Sequence, residues 1–205
     1  MKSLALIILV TGLSCTLYAQ SASTATPEKW TTYNGKATFE KGSIYLVNTS
    51  KGGSALMWLN DTDFKNGIIE LDLKGKDVRA ESFLGVAFHA LDNEHYDVIY
   101  FRPFNFKSPE RKDHSVQYAD APDNGWEVLR EKFPGKYENV VRPVPDPNDW
   151  FHAKIVVQYP RITVYVNNSK DPSLEVDQIS KRTSGKLALW IDSKDGAFKN
   201  VVITK

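Results

Sequence analysis

The chain has 205 residues, with 26 Lys and Arg against 25 Asp and Glu and one cysteine. It carries no basic stripe and no polybasic tail, which argues against nucleic acid or a charged membrane surface as a partner. Aromatic residues make up 12 % of the chain, several of them beside polar residues, a mixture suited to an uncharged polyhydroxylated ligand.

Residues 1–19 read as a secretory signal peptide. Lys2 supplies the charge, Leu4 to Val10 the apolar run, and Ala19 the small residue before Gln20. The run is far short of the ~20 residues that span a bilayer. The protein is therefore expected to be exported to the periplasm or beyond. Cys15 as a lipid-attachment residue is the alternative to simple cleavage, but Gly12 stands where a Leu-like residue is wanted. Cleavage after Ala19 leaves no cysteine, so stability must rest on a hydrophobic core. It also leaves 25 cationic and 25 acidic side chains. Residues 20–28 read as a polar, disordered linker, and 29–205 as one domain of ordinary size.

From Trp30 onward the recurring signal is period-two alternation bounded by Gly, Asn, Asp or Pro. Strands are predicted at 37–40, 43–48, 54–59, 67–74, 82–90, 95–102, 115–118, 151–158, 161–167, 186–192 and 198–204. In 67–74, Ile69, Leu71 and Leu73 share one face, opposite Glu70, Asp72 and Lys74. In 161–167, Ile162, Val164 and Val166 point inward, and Tyr159-Pro160 marks a tight hairpin turn before them. This many strands without a helical period predicts an all-β protein, two antiparallel sheets in a sandwich. Two segments break the rhythm, 103–113 and 120–149. They carry Phe104, Phe106, Arg111, Trp126, Arg130, Tyr137 and Arg142 rather than Gly and Ser, as binding loops do.

Three successive segments carry a likeness: Phe64-Lys-Asn-Gly67-Ile-Ile-Glu70-Leu-Asp72, Phe83-Leu-Gly85-Val-Ala-Phe-His89, and Tyr96-Asp97-Val-Ile-Tyr100-Phe-Arg102. With Asp149-Trp150-Phe-His-Ala-Lys154-Ile and Gly185-Lys-Leu-Ala-Leu-Trp190 near the end, the chain resembles the concanavalin A-like jelly rolls. Within them it is similar to laminin-G-like modules and to the bacterial 3-keto-disaccharide hydrolase family. The likeness covers nearly all of the mature chain. It implies a curved sheet on which sugars lie, and it leaves the chemistry to the site residues.

Glu70-Leu-Asp72 resembles the alternating acids of retaining glucanases, which need two carboxyl groups ~5 Å apart. Lys74 occupies the place of the third acid, so the strand reads as structural with a solvated outer face. A second set, His89, Tyr100, Arg102 and Gln117, is expected to form the ligand site, with small Gly85 and Ala87 leaving room beside His89. Trp126 is the candidate sugar platform and Arg130 its neighbour, whereas Trp58, Trp150 and Trp190 read as core caps. The opposing reading makes Arg102 a structural ion pair and His89 a satisfied sheet residue.

Four histidines, His89, His95, His114 and His152, show no His-x-His or Glu-x-x-His spacing, so no metal ligands and no cofactor are assigned. Asp192-Ser-Lys-Asp195-Gly196 reads as a plain turn, with a structural calcium as the alternative. Three Asn-x-Ser/Thr sequons, beginning at Asn48, Asn60 and Asn167, matter only in a eukaryotic source.

The function expected is binding or processing of an oligosaccharide or polysaccharide. A glycosidase acting on a 3-keto-disaccharide and a non-catalytic laminin-G-like adhesion module are the alternatives. A titratable pair inside an aromatic groove favours the enzyme, a groove without acids the lectin, and a flat apolar face with filled loops the adhesion module.

Overall fold

The computed structural model describes the backbone of residues 19–21 and residues 26–205 apart from Ser193. The expected signal peptide, Cys15 and most of the 20–28 linker lie outside the described residues. At the edges of that linker, Ala19–Ser21 forms a short strand and Pro27–Lys29 a 3-10 turn.

The strands, in chain order, are β1 (Ala19–Ser21), β2 (Trp30–Tyr33), β3 (Gly35–Glu40), β4 (Ser43–Asn48), β5 (Ala55–Leu59), β6 (Gly67–Lys74), β7 (Leu84–Ala90) and β8 (Tyr96–Phe101). There follow β9 (Val116–Ala121), β10 (Glu138–Asn139), β11 (Phe151–Gln158), β12 (Arg161–Val166), β13 (Leu174–Asp177), β14 (Lys186–Ile191) and β15 (Asp195–Thr204). They build two antiparallel sheets. One runs β13-β12-β11-β6-β15-β4-β3 with β1 on β15, the other β10-β9-β8-β7-β14-β5-β2. The fold is the all-β jelly-roll sandwich expected.

Alternation decides which faces meet. On β6, Ile69, Leu71 and Leu73 are fully buried while Glu70, Asp72 and Lys74 are only half-buried. The partner β11 repeats the pattern with Phe151, Ala153, Ile155 and Val157 inward. Across the interior, Phe101 of β8 meets Phe151 edge-on with ring centroids 5.1 Å apart. Removing apolar surface of this kind from water is worth ~1.5–3 kcal/mol for each large side chain.

The interior also holds a polar knot. Asp97 is fully buried on β8. It accepts hydrogen bonds from Tyr118 (2.5 Å), Ser180 (2.8 Å), Gln178 (3.2 Å) and Arg182 (3.0 and 3.2 Å). The knot fastens the irregular 178–182 segment to the seven-stranded sheet, and a carboxylate so deeply buried needs those donors.

The outer faces of the two sheets differ. That of the eight-stranded sheet carries half-exposed charges. His152 Nδ1 lies 2.9 Å from Asp72, its Nε2 3.7 Å from Glu70, and Asn200 donates to Asp72 at 2.7 Å. The seven-stranded sheet is buried on both faces over most of β7, β8, β9 and β14. Something covers its outer side, and loops do so.

One expectation about the loops is corrected. The 120–149 segment is not structureless: it holds a helix, α1 (Trp126–Lys132), and the two-residue strand β10. Trp126, Leu129, Arg130 and Phe133 recur at the i, i+3, i+4, i+7 spacing of a helix face, with Leu129 buried.

Candidate functional site

The site lies on the outer face of the seven-stranded sheet. Register fixes which side chains share that face: Tyr100 stands opposite Gly85 on β7 and Gln117 on β9, and Val98 opposite Ala87 and Ala119. Trp190 of β14 stands opposite Gly85 in turn. Gly85, Ala87, Ala119 and Ala121 are small, so the sheet is hollowed between its aromatic residues. The smallness of Gly85 has a further cause. A Cβ there would collide with the Ile99 carbonyl and the Tyr100 Cα, so glycine lets β7 and β8 approach.

The resulting groove, about 200 Å³, is floored by Tyr96, Tyr100 and Trp190 and walled by Phe83 and Trp126. Tyr100 and Trp190 pack with ring centroids 5.0 Å apart, and the Trp190 indole donates to Tyr96 Oη at 3.1 Å. Trp190, expected as a core cap, is buried as such a cap would be, but it faces this groove. Phe83 and Trp126 also border a second hollow of about 230 Å³, lined by Arg79, Arg102, Asn105, Arg111, His114 and Arg130 among others. The two together fall in the ~300–1,000 Å³ range of small-molecule sites.

Residues of the 103–113 and 120–149 segments line the hollow, the first through Phe104, Asn105 and Arg111, the second through Trp126 and Arg130. Trp126 opens α1 and is 42 % exposed, with the Arg130 guanidinium 4.8 Å from its ring. Beneath them lies Glu138 of β10, its side chain 3 % exposed. It accepts Arg130 Nε and Nη2 at 2.8 and 2.6 Å. His114 Nδ1 is 2.9 Å away, close enough for an ion pair but off the angle of a directed hydrogen bond. Arg102 approaches to 3.8 Å. Burial works to raise the Glu138 pKa, but the Arg130 bonds and the His114 and Arg102 charges outweigh it and hold the carboxyl below its usual range.

Of the expected site residues, Tyr100, Arg102, Trp126 and Arg130 line the groove or the hollow, whereas Gln117 is the strand neighbour of Tyr100 and lines neither. Arg102 is 5 % exposed and largely spent on the protein itself: it donates to Tyr100 Oη at 2.7 Å and to the His114 carbonyl at 3.0 Å. Burial pushes the Tyr100 hydroxyl up to about 12, so it stays protonated beside that guanidinium. Gln117 is 1 % exposed, and its Oε1 has no hydrogen-bond partner among the described residues. At the rim, loss of solvent pushes up the pKa of the Asp192 carboxyl where it faces the groove, although the residue as a whole is exposed.

His89 is not with them. It sits at the far end of β7 in a left-handed conformation (φ 48°), where the β7–β14 register shifts. Fully buried, it packs against Phe64 and Phe88 and bonds the Lys65 carbonyl at 2.5 Å. The period-two count that set His89 beside Gly85 and Ala87 fails because the bulge turns the side chain.

Glu138, His114, Arg79 and Phe83 were not foreseen. Glu138 stood inside a presumed loop, and only its two-residue pairing with β9 aims it at the site. Glu70 and Asp72 lie on the other sheet, engaged with His152. Asp195 of the expected turn pairs with Lys76 at 2.5 Å. Among the described residues no three His, Cys, Asp or Glu side chains converge as a metal site. Nor is any helix among them long and apolar enough to cross a membrane.

Residues 23–204 match the 3-keto-alpha-glucoside-1,2-lyase-like domain. The chain belongs to that family. No curated protein matches it. Among solved structures it is similar to the carbohydrate-binding module CBM66 from Bacillus subtilis. Identity is 17 % and the TM-score 0.62, over 89 % of this chain and 96 % of that one. The Bacillus licheniformis β-glucanase superposes with TM-score 0.58 at 14 % identity, over 94 % and 99 % of the two chains. The VIP36 exoplasmic/lumenal domain, solved with Ca2+ and Man3GlcNAc, gives 0.60 at 10 %, over 93 % and 90 %. At these identities the likeness establishes the jelly roll and no more.

Proposed function

We propose that this family member binds a saccharide in the groove on the outer face of its seven-stranded sheet, and that it does so after export. The observation that carries the reading is the groove itself: small residues hollow the sheet between Tyr100 and Trp190, and Trp126 overhangs the hollow from α1. Flat aromatic faces meet the apolar faces of sugar rings, while Asn105, His114 and the arginines offer donors to hydroxyls. A flat adhesive surface lacks such a hollow. Trp126→Ala tests the reading. Titration with a panel of oligosaccharides should show affinity at least five-fold weaker than wild type, since a stacking face contributes ~1 kcal/mol beyond its buried area. The melting temperature should barely change, because Trp126 is well exposed. Equal affinity in the variant would refute the site.

Two titratable groups, Asp192 in the groove and His114 in the adjoining hollow, support a second reading, an enzyme acting on a 3-keto-glucoside. Cleavage by elimination takes a proton from the carbon beside the ketone and returns one to the departing oxygen. His114 and the rim carboxyl of Asp192 are the groups placed to exchange protons, since Glu138 is held ionised by its arginines. In this reading His114→Ala and Asp192→Asn abolish turnover of a 3-keto-α-glucoside while saccharide binding persists. A wild-type protein that binds but never cleaves such a substrate leaves the groove a binding site only.

A further inference from the structure

We infer that the saccharide this groove accepts is an acidic one, whose carboxylate or sulfate group is held in the arginine-lined hollow beside Trp126. The inference rests on the saccharide-binding reading and specifies its ligand. Four guanidinium groups, those of Arg79, Arg102, Arg111 and Arg130, and the His114 imidazole line that hollow, and no Asp or Glu lines it. The buried Glu138 beneath offsets the charge of about one of them, and its bidentate bonds identify that one as Arg130. Arg102 is directed inward to Tyr100 and the His114 carbonyl. Two arginines remain for a ligand.

Arg79 is exposed on the loop between β6 and β7 and has no carboxylate partner among the described residues. Arg111 gives its Nε to Asn105 at 3.2 Å, and its Nη1 is 3.8 Å from Glu110, whose side chain is 80 % exposed and solvated. Such a pair contributes little and yields readily to a better anion. The remaining acid nearby, Asp192, lines the adjoining groove and not this hollow.

A chain whose net charge is only +1 thus gathers its positive charge at one end of an aromatic groove. Concentrating like charges around a low-dielectric hollow is unfavourable without an anion and focuses the field toward one. A neutral sugar needs hydrogen-bond donors but not this excess of guanidinium. The planar fork of arginine matches a carboxylate or sulfate two bonds at a time. The groove holds the ring, and the hollow holds the acid group.

The test is titration calorimetry of the protein as isolated, in 20 and 200 mM salt. The probes are galacturonate, mannuronate and glucuronate-containing oligosaccharides, their carboxyl-reduced neutral counterparts, and sulfated oligosaccharides of matching length. An acidic probe should bind at least ten-fold more tightly than its neutral counterpart and weaken at the higher salt, and the tighter anionic arm names the group. Arg79→Gln and Arg111→Gln should each weaken acidic binding about ten-fold and neutral binding, which loses only a donor to a hydroxyl, by no more than about three-fold. Arg161→Gln, the same charge change on the opposite sheet, should do neither. Neutral probes binding as tightly as acidic ones, unmoved by salt or by the hollow variants, overturn the inference and leave the groove standing. Binding to no probe of any class overturns both.

Discussion

Glu138→Gln would expose how the site is held together. The glutamine keeps the shape and one acceptor oxygen but removes the negative charge that Arg130, His114 and Arg102 share. Arg130 has a side chain 36 % exposed and can rehydrate, so its loss is screened. Arg102, at 6 %, cannot, though it keeps the Tyr100 hydroxyl and the His114 carbonyl. Stranding a buried charge costs ~3–5 kcal/mol, and the retained partners place the expected loss at the lower end, about 3 kcal/mol. With a urea slope of ~2 kcal/mol/M, the midpoint at pH 7 should fall by about 1.5 M. The pH dependence has a definite sign. A carboxyl whose folded pKa is depressed contributes stability above its unfolded value, ~4.3, and loses it as pH falls through the folded value. The advantage of the wild type over the variant should therefore shrink steadily as pH falls from about 5 to about 3. Urea unfolding followed by tryptophan fluorescence at both ends of that window provides the assay. A difference under 1 kcal/mol at pH 7, or one equally large at pH 3, would refute the account of Glu138.

Asp97→Ala should cost about 3 kcal/mol by thermal unfolding, since it removes the shared acceptor of Tyr118, Gln178 and Ser180 while Arg182 keeps Asp120; a change below 1 kcal/mol would mean the knot is dispensable. Glu70→Gln and Asp72→Asn lie on the opposite sheet and should leave saccharide affinity and any turnover within a few-fold of wild type. A loss of two orders of magnitude, the usual cost of removing a catalytic carboxylate, would revive a glucanase-like reading. Export should cleave between Ala19 and Gln20, as intact mass of the exported protein will report; a diacylglyceryl-modified Cys15 would contradict it.

The sandwich was legible because its strands are long and half-buried: in β6 and β12, alternation alone separates core from surface. The helix α1 was not, because seven residues inside a loop are outweighed by the surrounding strand rhythm, although the Trp126, Leu129, Arg130, Phe133 spacing carried it. Tyr100, Arg102 and Gln117 could be grouped because they sit in regular parts of β8 and β9, or one residue past a strand end. His89 could not be placed, since a bulge at the β7 terminus defeats counting by twos. Glu138 had no signal of its own. Its role comes from a two-residue pairing that brings a distant segment under the arginines. Nor could the net charge reveal the cationic hollow, whose arginines are gathered from the β6–β7 loop, the end of β8, the loop after it and helix α1.

The central claim, that the outer face of the seven-stranded sheet is the binding surface, can be tested at the five tryptophan indoles, which give separate signals in a 15N-correlated spectrum. Trp126 and Trp190 line the groove, whereas Trp150 lies under Lys199 of the eight-stranded sheet, 4.3 Å from its Nζ. Titration with a bound oligosaccharide should shift the Trp126 and Trp190 indole signals in step with saturation and leave that of Trp150 in place. Shifts at Trp150 with Trp126 and Trp190 unmoved would put the ligand on the other sheet and contradict the account.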